Sequence, residues 1–453
     1  MTAPDAAATA TPVDGLVRVE RALATRYPTE DRIAPDLDRI RDVLELLGTP
    51  QRAFPSIHIT GTNGKTSTTR MVDALLRAFG LRPGRYTSPH LQSVTERIAI
   101  DGAPLRPEAF ATAYDEVAPY VSLVDARHPQ RMTFFEVLTA MAFSAFADAP
   151  VDVGVIEVGL GGRWDATNVL DAPVAVVTSV GLDHQVYLGE TVSDIAAEKA
   201  GIVHAGATLV AAAQPHAEAT AVLRARVDEV GARMVTGGVD FGVADRAVAF
   251  GGQLLSLQGL GGRYDEIYLP LFGAHQADNA GCALAAVEAF LGGGEQPLDI
   301  EAVREGFAAV QSPGRLEVVR TSPSIVLDGA HNPAGMAALV AALAESFHFD
   351  RLVAVIAVLA DKDAAAMLGL LASAVDAVVV TTNVSPRALP ADTLAAVARD
   401  VLGDDRVEVA ANLPDAIDAA VALVEDEHGG GGGGVLVTGS LYTVGEARTL
   451  LVR

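Results

Sequence analysis

The sequence predicts an α/β protein. It reads as a large P-loop domain, with a mainly parallel sheet flanked by helices and a small antiparallel meander, followed by a smaller Rossmann-like α/β domain. Three observations predict it. Short, nearly continuous apolar runs such as 151–158 and 173–180 alternate with segments of helical periodicity, the pattern of parallel strands covered on both faces. The stretch Ser56-Ile-His-Ile-Thr-Gly-Thr-Asn-Gly-Lys-Thr-Ser67 reads as a strand, a glycine turn and the start of a helix. After Gln311-Ser-Pro-Gly-Arg315 the strand–helix rhythm restarts. The expected division is therefore a tail over 1–12, a first domain over 13–311 and a second over 312–453.

In chain order, residues 1–12 read as a disordered tail without the basic and apolar regions of a signal peptide. Apolar residues at helical spacing predict helices over 13–27 and 37–47. The glycine-turn unit follows, then a strand at 83–91 that ends in a polar turn. A long helix is expected over 131–146, and buried strands over 151–158 and 173–180. From 233 to 270 short alternating segments with glycine turns predict the meander. Gly259-Leu-Gly-Gly-Arg-Tyr-Asp265 repeats the wording of Gly159-Leu-Gly-Gly-Arg-Trp-Asp165 and is read as a hairpin turn. A helix begins near His275, and strands of the second domain are expected at 324–328, 352–359, 377–382 and 435–440. The six glycines at 429–434 read as a flexible loop.

The chain of 453 residues is half hydrophobic, enough for more than one core. Its formal net charge of −24 repels nucleic acid, so nucleic-acid binding is not expected. The single cysteine, Cys282, leaves no internal disulfide and fits a reducing, cytoplasmic setting; its alanine-rich surroundings predict a small buried side chain. No apolar run is long enough for a membrane span.

Each predicted strand of the first domain ends in a polar or glycine cluster, and in open α/β sheets such ends line one crevice. Gly61 and Gly64 let the first turn bend sharply, so the amides of Gly61, Thr62, Asn63, Gly64, Lys65, Thr66 and Ser67 can face a phosphate at a helix start. Position 59 is Ile where the longer phosphate-loop pattern has glycine, so the match is to a shorter GxxGK[ST] loop. Glu157 stands at the strand end where a metal-binding acid is wanted, with His184 and Ser88 at neighbouring ends; oxygen and imidazole ligands around phosphate suit Mg²⁺ or Mn²⁺. Taken alone, Glu157 fits a capping or salt-bridged acid equally well, and His184 a hydrogen-bonded core histidine. Lys199, on an apolar helix end, fits an ordinary pair with Glu198; near metal ions its neutral amine can instead take up carbon dioxide to become an acidic ligand.

Several motifs occur together and in order: Thr60-Gly-Thr-Asn-Gly-Lys65, Ser88-Pro-His-Leu91, Glu157-Val-Gly-Leu-Gly-Gly-Arg163 with Asp165-Ala-Thr-Asn168, and Glu198-Lys-Ala-Gly-Ile202. His275-Gln with Asn279, Pro313-Gly-Arg-Leu-Glu317, Asp328-Gly-Ala-His-Asn-Pro333, Asp361-Lys-Asp363 and Gly439-Ser440 follow. From Ile33 to Glu446 the set resembles the folylpolyglutamate synthases of the Mur ligase superfamily, in particular the bacterial form that doubles as dihydrofolate synthase. Thr66 stands where many members have glycine, and it keeps the hydroxyl.

The resemblance implies an ATP-dependent ligase that adds L-glutamate to a reduced folate or to dihydropteroate through an acyl phosphate, working as a monomer with two Mg²⁺ sites. It implies catalytic roles for Lys65, Lys199 and His184, with Lys199 as a carbamate. Metal ligands would be Thr66, Ser88, Glu157, His184 and Lys199. ATP contacts would include Asn279, Arg315, Asp328 and His331. The pterin pocket would draw on Ile33, Ala34, Pro35, Thr133, Phe135, Glu136, Arg163, Asp165 and Ala166, and glutamate on Ser440. Two other classes share parts of the set. A peptidoglycan ligase of the Mur type would carry an N-terminal sugar-nucleotide domain, for which the 55 or so residues before the loop are few. A non-catalytic nucleotide switch would leave Glu157, His184 and Lys199 unexplained.

Overall fold

The structure is a computed structural model that describes residues 12–27, 36–425 and 432–452. The predicted tail lies outside the described residues except Pro12, which opens the first helix, Pro12–Ala24. Proline suits a first helical position because its missing N–H would be unpaired there anyway. Ile33, Ala34 and Pro35 also lie outside the described residues.

The main sheet carries β1 (Ser56–Thr60), β2 (Pro83–Tyr86), β3 (Ile98–Ile100), β4 (Ala103–Pro104), β5 (Val153–Glu157), β6 (Val174–Val177), β7 (Thr208–Ala211) and β8 (Arg233–Thr236). Their order is β4-β3-β2-β5-β1-β6-β7-β8. From β2 to β8 every pairing is parallel. The antiparallel β3 and β4 at one edge are too short to leave a periodic signal in the sequence. All residues of β1 and β5 are buried, which their unbroken apolar character requires of central strands.

The meander begins later than the sequence suggested. Residues 233–236 form β8, a parallel edge strand of the main sheet, because the segment follows a helix and returns beside β7. The meander proper is β9 (Gly242–Ala249), β10 (Gly252–Gln258) and β11 (Arg263–Leu269), ordered β11-β10-β9. Gly259 does open a hairpin turn, its N–H donating to the Gly262 carbonyl at 2.7 Å.

A third sheet holds β12 (Glu317–Thr321), β13 (Ser324–Leu327), β14 (Arg351–Ile356), β15 (Ala377–Val380), β16 (Val407–Val409) and β17 (Gly433–Thr438), in the order β12-β13-β17-β14-β15-β16. Only β12 runs antiparallel to its neighbour. Gly433 and Gly434, expected in a loop, are the first residues of β17. Packing explains the glycine there: a Cβ on Gly434 would lie 2.6 Å from the Phe349 ring.

One core joins the helix Lys65–Ala78 to the helix Ala274–Gly292 and the meander, and Cys282 is buried within it as a free thiol. Another packs the helices Pro12–Ala24, Pro107–Arg127 and Phe134–Asp148 against the main sheet. The expected helix at 131–146 starts at Phe134 because Thr133 caps it. Together these cores hold the carboxyl ends of β1, β5 and β6 rigidly at the mouth of a cleft shared with the third sheet.

Candidate active site

The first wall is the turn after β1. Gly61 and Gly64 have φ of 152° and 89°, which side-chained residues rarely adopt. A Cβ on Gly61 would also strike Thr178, and one on Gly64 would strike Asn279, so the turn is pressed between β6 and the helix Ala274–Gly292. Gly64 gives the next helix no side-chain cap, and its first amides are left for a ligand. The Lys65 ammonium folds back on its own loop, 2.9 Å from the Gly61 carbonyl and 3.2 Å from that of Thr62. Lys199, at the end of the helix Val192–Ala200, donates to the same Gly61 carbonyl at 2.8 Å. It is only 3 % exposed, and burial together with the Lys65 charge pushes its amine well below the ordinary lysine range. The pair with Glu198 does not form; Glu198 faces Arg163 at 4.0 Å.

Behind the loop, Thr66 Oγ1 donates to Glu157 Oε1 at 2.8 Å, while the buried Oε2 has no partner. Burial pushes the Glu157 carboxyl up to about 7, against the pull of Lys65 and Thr66. A buried carboxylate oxygen without a donor is costly, and a divalent cation would relieve it. Among the described residues no three His, Cys, Asp or Glu side chains converge as a metal-binding group, so carboxylates and imidazoles alone do not close a cage here. That suits Mg²⁺, which characteristically takes one or two carboxylates and fills its shell with water and substrate phosphate. Glu157 and Thr66 have the right donors.

The second wall comes largely from the third sheet. Asp183 accepts from the Lys362 ammonium at 2.7 Å and from Asn332 at 2.9 Å. Although burial opposes it, His184 and Lys362 hold the Asp183 carboxyl well below the usual range. Asn332 also exchanges side-chain hydrogen bonds with Asn63 of the loop, at 3.1 and 3.3 Å, while capping the helix Pro333–Ser346. Asp328 accepts from the amides of Leu316 and Ala330 beside Arg315. His331 lies 2.8 Å from the Gly329 carbonyl, and burial lowers its pKa. His184, its pKa lowered to about 4 by burial, completes this mouth.

The far end of the cleft is aromatic. Tyr27 stacks on Phe134 with centroids 4.3 Å apart, and Phe135 packs by the buried Tyr86 at 5.7 Å. Polar atoms here mostly hold the walls. Thr133 and Glu136 form a reciprocal cap, and Glu136 also receives Arg39 at 3.1 Å. Asp165 accepts from the amides of Leu160 and Thr167.

These walls enclose one cavity of about 1290 Å³, larger than the roughly 300–1,000 Å³ usual for one small ligand. It brings together Gly61, Thr62, Asn63, Gly64, Lys65, Thr66, Ser67, Ser88, Thr133, Phe135, Glu136, Glu157, Asp165, Ala166, His184, Lys199, Asn279, Arg315, Asp328, His331 and Ser440. Arg163 is the exception: it does not line the cavity, and its side chain is half exposed because its backbone is held against the helix that carries Glu198. Sequence reasoning missed Tyr27, Arg39, Arg97, Trp164, Asn332 and Lys362. Asn332, Lys362 and Trp164 stood inside quoted stretches and could have been found there; Tyr27, Arg39 and Arg97 leave no local signal.

Residues 59–287 match the model of the Mur ligase middle domain, and residues 314–441 that of the Mur ligase glutamate ligase domain. The dihydrofolate synthase/folylpolyglutamate synthase of Mycobacterium tuberculosis (strain ATCC 25618 / H37Rv) is 50% identical over 459 residues, covering 97% of this chain and 94% of that protein. The solved Mycobacterium tuberculosis folylpolyglutamate synthase complexed with ADP is similar with a TM-score of 0.94 at 51% identity, over 98% of this chain and 99% of the other. The E. coli FolC structure in complex with DHPP and ADP is similar with a TM-score of 0.82 at 32% identity, over 96% and 97% of the two chains.

Proposed function

From the premise that the chain belongs to the Mur ligase family, as a folylpolyglutamate synthase/dihydrofolate synthase, we propose how its residues divide the work. The enzyme is an ATP-dependent ligase that joins L-glutamate to folate substrates. In the proposed course a substrate carboxylate oxygen attacks the γ-phosphorus of ATP. The bond from that phosphorus to the bridging oxygen breaks, and ADP leaves. The amine of glutamate then attacks the acyl carbon and gives up a proton, and the carbon–oxygen bond to phosphate breaks.

The loop amides from Gly61 to Ser67 cradle the phosphates, and Lys65 turns from its own carbonyls to the charge developing on the transferred group. Mg²⁺, or Mn²⁺, supplies charge neutralisation there when bound. Thr66 and Glu157 would hold it, with Ser88 and His184 and, as a carbamate, Lys199 at a second site. The Lys199 carbamate forms when the neutral amine attacks the carbon of CO₂ and one N–H proton leaves to solvent. Asn279, Arg315, Asp328 and His331 hold ATP from the opposite side, with the two domains dividing between 311 and 312. Phe135, Thr133, Glu136, Asp165 and Ala166 form the pterin wall, and Ser440 contacts glutamate. A cytoplasmic monomer is the proposed working form, and the single cysteine supports that compartment.

The observation that carries this division is that one cavity holds a phosphate loop at one end and an aromatic wall at the other. Phosphate release from ATP, measured with dihydropteroate or tetrahydrofolate and with or without L-glutamate, tests it. Sustained release is expected only with an acceptor and glutamate together. Release independent of any pterin would overturn the division.

A further inference from the structure

Arg97 closes the 3₁₀ turn Val94–Arg97 at the aromatic end of the cavity. It is only 7 % exposed. Its Nε donates to His90 Nδ1 at 2.9 Å, and its guanidinium carbon lies 5.1 Å from the centroid of the Phe134 ring. Among the described residues neither terminal nitrogen has a hydrogen-bond or ion-pair partner. The adjacent acid is turned away: both Glu96 oxygens accept from the amides of Leu91, Gln92 and Ser93. A buried guanidinium without a carboxylate is expensive, and Arg97 lines the cavity, where a ligand can bring the missing anion.

What surrounds it narrows that anion. Phe134, Tyr27 and, from the C-terminal helix Leu441–Leu451, Tyr442 all line the same end of the cavity. Their rings suit an aromatic molecule carrying an acidic group. The guanidinium fork matches a carboxylate, and the His90 bond together with the Phe134 ring fixes its plane.

We propose that Arg97 anchors the carboxylate of the folate acceptor that is not being activated. This rests on the ligase reading above. A folate with a glutamyl tail carries two carboxylates; one accepts the phosphoryl group and the other is spare. Dihydropteroate has only the reacting one. Arg97 is therefore a specificity residue that favours the glutamylated acceptor over the bare pteroate.

Quenching of the single tryptophan, Trp164, which lines the cavity, reports binding of dihydrofolate and dihydropteroate, two ligands that differ by the glutamyl group. Arg97→Gln is expected to weaken dihydrofolate about 10- to 100-fold, the usual worth of a hydrogen bond to a charged group, and dihydropteroate far less. Arg97→Lys, which keeps the charge and loses the fork, should fall between, and it replaces the first variant if that one does not fold. Equal losses for both ligands, or none for either, would overturn the proposal. So would a rise confined to the KM for L-glutamate, which would give the carboxylate to the incoming amino acid. Wild-type protein that bound neither pterin would instead fail the pterin-wall assignment on which the proposal stands.

Discussion

Lys65, Lys199 and Lys362 each donate from the side-chain nitrogen to a protein oxygen, at 2.7–2.9 Å. Across the same cleft Arg97 gives its terminal nitrogens to no described residue. At the phosphate end the lysine nitrogens are already engaged: two of them share the Gly61 carbonyl, and the third is clasped to Asp183. A nucleotide must therefore exchange partners with the protein to be held there. At the aromatic end Phe134 and the Arg97 guanidinium are buried and held against each other, with Tyr27 stacked on that ring, and a ligand only adds to them. The first end is suited to stabilising charge that appears during reaction; the second is suited to uniform binding of the acceptor. The difference predicts that damage to one end lowers kcat and damage to the other raises an acceptor KM.

Lys65→Ala is the strongest attempt to break this contrast. Removing a charge needed mainly in the transition state should lower kcat by about 10²–10³-fold, with the melting temperature little changed because Lys199 still donates to the Gly61 carbonyl. Steady-state phosphate release and a thermal melt measure both. Near wild-type turnover would show that the ammonium only braces its loop, and the phosphate end would lose its distinction.

Lys199→Ala should cost less, about 10- to 100-fold, in the range of residues that tune a metal site. A non-hydrolysable ATP analogue should still bind through the loop amides. Acetate or formate, by filling the space left by a carbamate, should restore part of the activity. A labelled carbamate carbon seen by ¹³C NMR after exchange with bicarbonate would establish the modification directly. A fully active Lys199→Ala protein would assign the buried lysine to structure alone.

The two ends also differ in how far they could be read beforehand. The loop, Glu157, His184 and Lys199 sit at the ends of consecutive elements, where glycine spacing and apolar strands announce a crevice before any coordinates exist. The aromatic end draws Tyr27, Arg97, Phe134 and Trp164 from separate segments of the first part of the chain and Tyr442 from the C-terminal helix. No local pattern links them; only the packing of the N-terminal helices and the C-terminal helix does. Arg163 shows the converse error. It stands inside a specific motif, yet its backbone N–H is held by the Glu198 carbonyl and its side chain turns to solvent. The same holds for the fold: central parallel strands were legible from their apolar runs, whereas β3, β4 and β16, of two or three residues each, were not. Gly433 and Gly434 looked like loop because composition speaks for glycine, but β-pairing in a crowded sheet decided otherwise.

The smallest change that should separate the two ends is Gly159→Ala, just beyond the strand that ends at Glu157. The backbone of Gly159 is not in the left-handed region, so alanine meets no conformational penalty there. Its Cβ, however, would lie 2.6 Å from Phe135 Cζ. The ring must move, and one direction is blocked: Tyr86 is fully buried beside it and anchored to Thr139 at 3.2 Å. Phe135 lines the cavity and can yield toward it, where it narrows the space for a pterin. Crowding of this size costs about 1–3 kcal/mol when nothing relaxes. With one side open, an acceptor KM raised about 3- to 10-fold is expected. The KM for ATP and the kcat at saturating acceptor should hold, because Lys65, Thr66 and the Glu157 carboxylate are untouched. Initial rates over a grid of acceptor and ATP concentrations would resolve the three parameters. If kcat fell while the acceptor KM stayed constant, Phe135 would belong to the reacting end, and the division of the cleft drawn from its lysines and its arginine would be wrong.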